Sequence, residues 1–246
     1  MESNKYTLSF SSLKQFEKSP SHFLQYKRKE FKSTPAMRLG TLTHLSILEP
    51  EEYHKKVVVT DLSRRTKAFK EFEAENESKE IITTKEESQI KGMTISVKGM
   101  KKARKLLKDA TETEKLHSWK YRGHVFHGIP DAVAGDTIID LKTTKDATPR
   151  KFEADAFRML YHMQAAAYMS GLNSKGYDIK HYYIIAVETT APYPVTVFKL
   201  SDELIERGFM KLDSIIDKFE GWDGVEYGYH EPDTQIQMNV PEWAQT

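Results

Sequence analysis

The 246-residue chain contains no cysteine. Disulfides, thiolate zinc sites, cysteine nucleophiles and cysteine-ligated iron–sulfur clusters are therefore excluded. A thiol-free chain suits a reducing compartment, so a cytoplasmic location is expected. Long apolar runs are missing as well. No segment approaches the ~18 consecutive apolar residues of a membrane helix, and Met1-Glu2-Ser3-Asn4-Lys5 lacks the apolar stretch of a secretory leader. No membrane partner is expected. Neither sign of charge dominates: 37 Lys+Arg stand against 36 Asp+Glu, for a net charge of +1. That balance excludes a histone-like basic binder and an acidic tail protein, but not a locally basic cleft. Glycine (12) and proline (9) are few and scattered, and no linker, repeat or low-complexity block is visible. Residues 1–246 are accordingly read as a single domain. No Gly-rich phosphate loop is present, so ATP-driven translocation is not built in, and no Ser-His-Asp ordering stands out. What is present is 39% hydrophobic and 11% aromatic residues. A compact chain of this length buries roughly 70–75% of its unfolded surface, ample for a core.

The periodicity is mixed. Helical spacing runs over 9–26, with Phe10, Leu13, Phe16, Phe23 and Leu24 on one face and a break at Ser19-Pro20. A second helix is expected over 37–48, with Leu39, Leu42, Leu45 and Leu48 at i+3 steps before Glu49-Pro50. Val57-Val58-Val59 reads as a short strand. A long helix is expected over 84–109, opened by a capping box of Thr84 and Glu87. Its apolar face is Met93, Val97, Met100 and Leu107, and Lys98, Lys101, Lys102, Lys105 and Lys108 form a stripe. That stripe is either a solvated helix face or a wall tracking phosphates. The period then shifts to two. Val125, His127 and Ile129 alternate, Ala134-Gly135-Asp136 turns, and a strand follows over 137–142. A helix over 156–171 stopped by Gly171, strands over 182–187 and 195–200, and a closing helix over 202–219 complete the order. Such an order predicts an α/β fold with a central mixed sheet flanked by helices.

The informative stretch is Gly128-Ile129-Pro130-Asp131 followed by Ile138-Ile139-Asp140-Leu141-Lys142. On a strand, Asp140 and Lys142 point to one face and Ile139 and Leu141 to the other. Asp131 lies nine positions earlier (140 − 131), so the intervening hairpin can return it beside Asp140. Two converging carboxylates repel, and a divalent cation relieves that repulsion. Hard oxygen ligands with open positions suit Mg²⁺, which would polarise a phosphoryl oxygen and supply hydroxide near neutral pH. Lys142 could orient the attacking water or stabilise the charge that grows on the phosphorane. An exposed Asp–Lys pair near a turn, worth little energetically, is the competing interpretation of the stretch taken alone.

Pro130-Asp131 with Asp140-Leu141-Lys142 resembles the PD-(D/E)XK nuclease motif. Gln164 and Tyr168, within Tyr161-His162-Met163-Gln164-Ala165-Ala166-Ala167-Tyr168, match the Q-x-x-x-Y element of its RecB-like branch. Leu39-Gly40-Thr41-Leu42-Thr43-His44-Leu45, ending in Glu49-Pro50, resembles the G-T-x-x-H-x-x-x-L-E-P helix of the exonuclease VIII (RecE) nuclease domain. The opening residues 9–23 with Lys18-Ser19-Pro20, and the closing Val240-Pro241-Glu242-Trp243-Ala244, match the same family. The resemblance thus spans nearly the whole chain, with its motifs in order. It implies a restriction-endonuclease-like core with N-terminal helices, in a phage or prophage exonuclease.

Carried over residue by residue, the resemblance makes His44, Asp131, Asp140 and the Leu141 carbonyl metal ligands. Lys142 becomes the catalytic lysine, and Gln164 and Tyr168 position DNA or the site. On its own, His44 among leucines reads as a packed core histidine, and the surrounding Gly-Thr-x-x-His shifts the reading to a ligand; the alternative for Gln164 and Tyr168 is a buried amide and phenol satisfied by backbone. Members of the family that hold an iron–sulfur cluster carry a cysteine where this chain has Ser19, so that subgroup is excluded. Family strands often carry Glu where Asp140 stands, and the shorter aspartate is expected to alter metal spacing. Thr143 and Thr144 either touch phosphate or end the strand. Lys27-Arg28-Lys29 either grips a DNA end or is a solvated helix terminus. The expected activity is Mg²⁺-dependent hydrolysis of linear double-stranded DNA from its ends, with Mn²⁺ as a substitute. The implied polarity is 5′ to 3′, leaving 3′ overhangs for a partner single-strand annealing protein, and the implied assembly is a homo-oligomeric ring, trimer or tetramer. A structure-specific endonuclease and a catalytically inactive DNA-binding module are the alternatives.

Overall fold

The computed structural model describes residues 6–29, 33–230 and 233–238. Residues 1–5 and the closing 240–244 motif lie outside them. The elements, in chain order, begin with α1 (Phe10–Lys18), α2 (Pro20–Lys27), α3 (Pro35–Leu48), α4 (Pro50–Lys56), β1 (Val57–Val59), α5 (Lys67–Glu75) and β2 (Glu80–Ile82). There follow α6 (Thr84–Gly99), α7 (Lys101–Lys108), β3 (Glu112–Thr113), β4 (His117–Tyr121), β5 (His124–Gly128), β6 (Ala132–Ala134) and β7 (Thr137–Thr144). The last five are α8 (Pro149–Arg158), α9 (Tyr161–Asn173), β8 (His181–Glu188), β9 (Val195–Lys199) and α10 (Asp202–Glu220). The result is an α/β fold around a mixed sheet ordered β3-β6-β7-β8-β9. β6 and β7 are antiparallel, β7 and β8 parallel, and β8 and β9 antiparallel. A parallel neighbour needs a long crossover, which α8 and α9 supply. No helix among the described residues is long and apolar enough to cross a membrane.

β7 is covered on both faces. Ile139 and Leu141 join Ile185, Val187, Leu42, Ile90, Met93 and Val97 in the core beneath α3 and α6. Ile138 joins Tyr182, Ile184, Phe152, Ala165 and Leu172 in the core beneath α8 and α9. A third cluster packs α1, α2 and α10 against the β4–β5 hairpin through Phe16, Phe23, Phe126, Phe219 and Trp222. Local chemistry sets the helix starts. Ser9 and Ser19 accept from the third backbone N–H of α1 and α2, and Pro20 opens α2 with its fixed φ. Thr34 does the same for α3, which begins with Pro35.

The sequence expectation needs four corrections. The capping box of α6 is Thr83 with Glu86, not Thr84 with Glu87. The expected long helix divides at Met100, whose ψ of 113° is extended, so the lysine stripe spans two helices. The expected 156–171 helix is two helices divided at Leu160, which adopts the left-handed conformation (φ 61°) without a glycine to announce it. Gly171 does not stop α9, which runs on to Asn173. A Cβ on Gly171 would run into the Trp119 indole, so this glycine lets the hairpin lie against the helix. Further elements were not anticipated: α4, α5, and a parallel β1–β2 pair with Val58 opposite Ile81.

Candidate active site

The β6–β7 hairpin turns through Gly135 (φ 58°) and Asp136, pairing Ala134 with Thr137 and Ala132 with Ile139. Just before β6, the Asp131 side chain reaches the Leu141 N–H, next to Asp140. Asp140 is 1% exposed and forms an ion pair with Lys142, two residues along the same face. Gln164, on α9, donates through Nε2 to Asp140 Oδ1 at 3.1 Å, a fully buried bond. Asp131 Oδ2 accepts from the Leu141 backbone N–H at 2.6 Å and lies 3.5 Å from His44 Nδ1. Leu141 therefore reaches the site by its amide, which fixes the Asp131 carboxylate in place.

His44 arrives on α3, and the preceding turn of that helix explains how. A Cβ on Gly40 would lie 3.0 Å from Thr143 Oγ1, tighter than ordinary van der Waals contact. Glycine there lets α3 close on β7, and His44 follows one turn later on the same face. Tyr161 opens α9 with its ring under Lys142, whose Nζ is 4.8 Å from the ring centroid. Tyr168 is half-buried one turn beyond Gln164. Burial first, then the Asp140 charge, pushes its phenol up to about 12. The fold thus brings His44, Asp131, Asp140, Leu141, Lys142 and Gln164 together, with Tyr168 beside them.

The charges do not titrate alike. Burial pushes Asp140 up to about 6, with Lys142 opposing and Asp131 adding to the rise. Burial also acts to raise Asp131, but His44, Lys142 and the Leu141 N–H outweigh it and hold this carboxyl below the usual range. His44 is raised: burial opposes its charge, and Asp131 more than compensates. Lys142 is likewise raised, burial being outweighed by Asp140 and Asp131. Two carboxylates side by side, one kept ionised and one shifted towards neutrality, is the behaviour expected of a pair that shares a binding task.

One member was not visible in the sequence. Glu114 lies 17 positions before Asp131 (131 − 114), in the left-handed region (φ 46°), and its N–H donates to the Asp131 carbonyl at 3.1 Å. Burial, then Asp131, pushes its carboxyl up to about 7. His44, Glu114 and Asp131 each offer a ligand atom within 4.8 Å of the others. One imidazole and two carboxylates, with Asp140 beside Asp131, fit a divalent cation of the Mg²⁺ or Mn²⁺ kind. Glu114 sits among polar neighbours with no motif spacing, so only the fold reveals it.

Lys14 was also missed. Its ammonium contacts the Met159 sulfur at 3.6 Å and lies 5.8 Å from the Phe10 ring centroid, and it pairs with no carboxylate among the described residues. Burial, then Lys18, Lys142 and Arg158, pulls it down to about 8. Two residues of the Lys27-Arg28-Lys29 cluster are engaged elsewhere. Lys27 donates to the Thr7 carbonyl, and Arg28 pairs with Glu226 at 2.7 Å. Thr144 Oγ1 caps the strand end by bonding the Asp146 carbonyl at 3.1 Å and accepting its N–H.

The model of a family described as a PDDEXK-like domain of unknown function (DUF3799) matches residues 9–234. Among solved structures, that of a candidate exonuclease from Eubacterium rectale aligns with a TM-score of 0.64 at 14% identity, over 98% of this chain and 92% of that one. A phage-related exonuclease from Haemophilus somnus 129PT aligns at 0.39 and 13% identity, over 90% and 97%. LHK-Exo in complex with dAMP aligns at 0.37 and 13%, over 87% and 88%. No curated protein matches the chain.

Proposed function

This chain belongs to the PDDEXK-like family matched over residues 9–234, and from that premise we propose that it is a divalent-metal-dependent nuclease cutting DNA phosphodiesters from duplex ends. The observation that carries this reading is the convergence of two carboxylates, Asp131 bound to the Leu141 N–H and Asp140 on the same strand, with Lys142 against Asp140 and His44 3.5 Å from Asp131. A bound Mg²⁺ or Mn²⁺ would polarise a phosphoryl oxygen and make hydroxide available near neutral pH.

The chain's own groups divide the remaining work. Asp131, Asp140, His44 and Glu114 supply the donor set, with the Leu141 carbonyl as a further donor. The Leu141 N–H fixes the orientation of Asp131, and Gln164 that of Asp140. Lys142 stays protonated against two carboxylates. It orients the attacking water and stabilises the charge that builds on phosphorus as the P–O bond to the leaving oxygen lengthens. Tyr161 backs the Lys142 ammonium with its ring face, and Tyr168 packs behind Gln164. Lys14, a cation without a carboxylate partner near Lys142, contacts a phosphate flanking the scissile one.

The finer assignment rests on the resemblance to exonuclease VIII and on the name carried by the Eubacterium rectale structure. It is exonucleolytic degradation of linear double-stranded DNA, 5′ to 3′, leaving 3′ overhangs for recombination by a single-strand annealing partner. A ring of three or four copies would retain the duplex despite a net charge of only +1 per chain. Light scattering at three or four times the mass of one chain supports the ring, and a monomer overturns it. The activity is tested with end-labelled linear duplex and closed circular plasmid of the same sequence. Loss of the linear substrate alone, with Mg²⁺ and not with EDTA, is expected. Cutting of the closed circle would instead establish an endonuclease.

A further inference from the structure

Behind Tyr161 lies a cavity of about 490 Å³ that the catalytic scheme leaves unused. That volume falls within the ~300–1,000 Å³ typical of sites for small organic ligands. Its position follows from the sheet register. Asp140 pairs with Ile184 on β8, and Ile184 pairs with Phe198 on β9. Ile184 and Phe198 line the cavity, so its floor continues the catalytic row and ends two strand spacings, roughly 10 Å, from Asp140. Tyr161 is the shared wall, lining the cavity while its ring carries the Lys142 ammonium.

The lining is aromatic and flat. Phe152 stacks on Phe198 at 4.8 Å and 16°. Phe157 stacks on His162 at 4.7 Å and 10°, yet stays 54% exposed. One face of the Phe157 ring is taken by His162, and the ring borders the cavity beside Phe152, Tyr161 and Phe198. The charged lining residues balance in number: Arg207 is held by Glu203 at 3.0 Å, and one further acid, Glu153, lines the cavity with one further base, Lys199. Such a site does not select a phosphate or a carboxylate. It selects a planar, uncharged, polarisable ring.

We propose that this cavity is a nucleobase subsite, in which the exposed face of Phe157 stacks an unpaired base at the end of the strand being cut. The inference rests on the nuclease reading and adds a substrate contact to it. Asp140 is 1% exposed, so the site is recessed, and a terminal nucleotide that leaves the duplex stack would carry its phosphodiester further into it. Extruding a base has an energetic cost, and stacking on an aromatic side chain offsets that cost without regard to sequence. The spacing suits this use: the floor runs from one to two strand spacings, roughly 5 to 10 Å, from Asp140, close to the reach from a backbone phosphate to the far edge of its base.

The probe is a linear duplex with 2-aminopurine at its terminal position, bound in Ca²⁺ and read by fluorescence. The same duplex, cleaved in Mg²⁺, gives kcat and KM. The original protein should quench the 2-aminopurine. Phe157→Ala should release the quench and raise KM roughly tenfold to hundredfold with little change in kcat, and Phe157→Trp should restore both. Phe157 is solvent-exposed, so neither variant threatens the fold. Identical fluorescence and KM in the original protein and Phe157→Ala would overturn the subsite while leaving the nuclease intact. Quenching that depends on Phe157, in a protein that cuts no DNA, would sustain the subsite and overturn the nuclease reading instead.

Discussion

Replacing Gln164 with methionine removes the amide that donates to Asp140 Oδ1 at 3.1 Å and fills the same space with an apolar chain. Gln164 is only 7% exposed and its Oε1 has no hydrogen-bond partner among the described residues, so the groups that lose a partner are the Asp140 carboxylate and the Tyr168 phenol, and a thermal melt alongside the assay checks that the variant folds. What changes is the carboxylate. A hydrogen bond to a charged acceptor is worth about 1.5–3 kcal/mol, or roughly one to two pKa units. Burial already raises Asp140 to about 6, so losing the bond moves it further up. At pH 7 a smaller fraction is then ionised, because a raised carboxyl keeps its proton to higher pH. At subsaturating metal the ion must displace that proton. Cleavage at pH 7 should therefore drop about twofold to tenfold and recover by pH 9. The assay is the pH profile of kcat/KM on end-labelled duplex at fixed low Mg²⁺. An acid limb at the same pH in both proteins would refute the role of Gln164 as the group that tunes Asp140.

Four further outcomes are expected. Glu114→Gln should raise the metal needed for half-activity by tenfold or more, and a metal titration should lose much of its pH dependence around 7, where Glu114 releases its proton. His44→Ala should shift the same titration to higher metal with little change in Tm; a fall of several degrees with unchanged metal demand would make His44 a packing residue only. Lys14→Ala should raise KM severalfold at pH 7 with kcat nearly intact, and the KM of the original protein should itself climb as Lys14 loses its proton above about 8; a flat KM between pH 7 and 9 would remove Lys14 from the DNA contacts. Gly171→Leu, forced into the Trp119 indole, should cost about 1–3 kcal/mol by overpacking and lower Tm by roughly 3–10 °C in a thermal melt.

The parts of this site that were legible in the sequence share a local cause. Strand alternation fixes which faces Asp140 and Lys142 share, and a two-residue turn fixes that Asp131 returns beside Asp140; both depend on residues within a dozen positions. The Gly40 to His44 spacing is one helical turn, and Gln164 to Tyr168 another. What was missed depends on distant contacts. Leu160 takes a left-handed conformation that its side chain does not advertise, so α8 and α9 looked like one helix. Gly171 reads as a helix stop until the Trp119 indole is seen to need its place. Glu114 and Lys14 lie in polar and amphipathic stretches that look solvated, and only the packing of β3, α1 and the α8–α9 corner carries them to the site. The Asp140–Lys142 pair was expected as two separate roles, metal ligand and catalytic lysine. In the folded chain the two side chains pair directly with each other.

We propose that Asp131 and Asp140 together hold the metal on which DNA cleavage depends. It is tested most directly by measuring Mn²⁺ binding calorimetrically, alongside cleavage of end-labelled linear duplex, in the original protein and in Asp131→Asn and Asp140→Asn. Each variant keeps the side-chain shape and removes one charge, so melting should stay close to that of the original protein. Metal affinity should fall at least tenfold in each variant, and cleavage by orders of magnitude, since both a ligand and its charge are gone. A folded Asp140→Asn protein that binds Mn²⁺ and degrades the duplex as the original does would contradict the account.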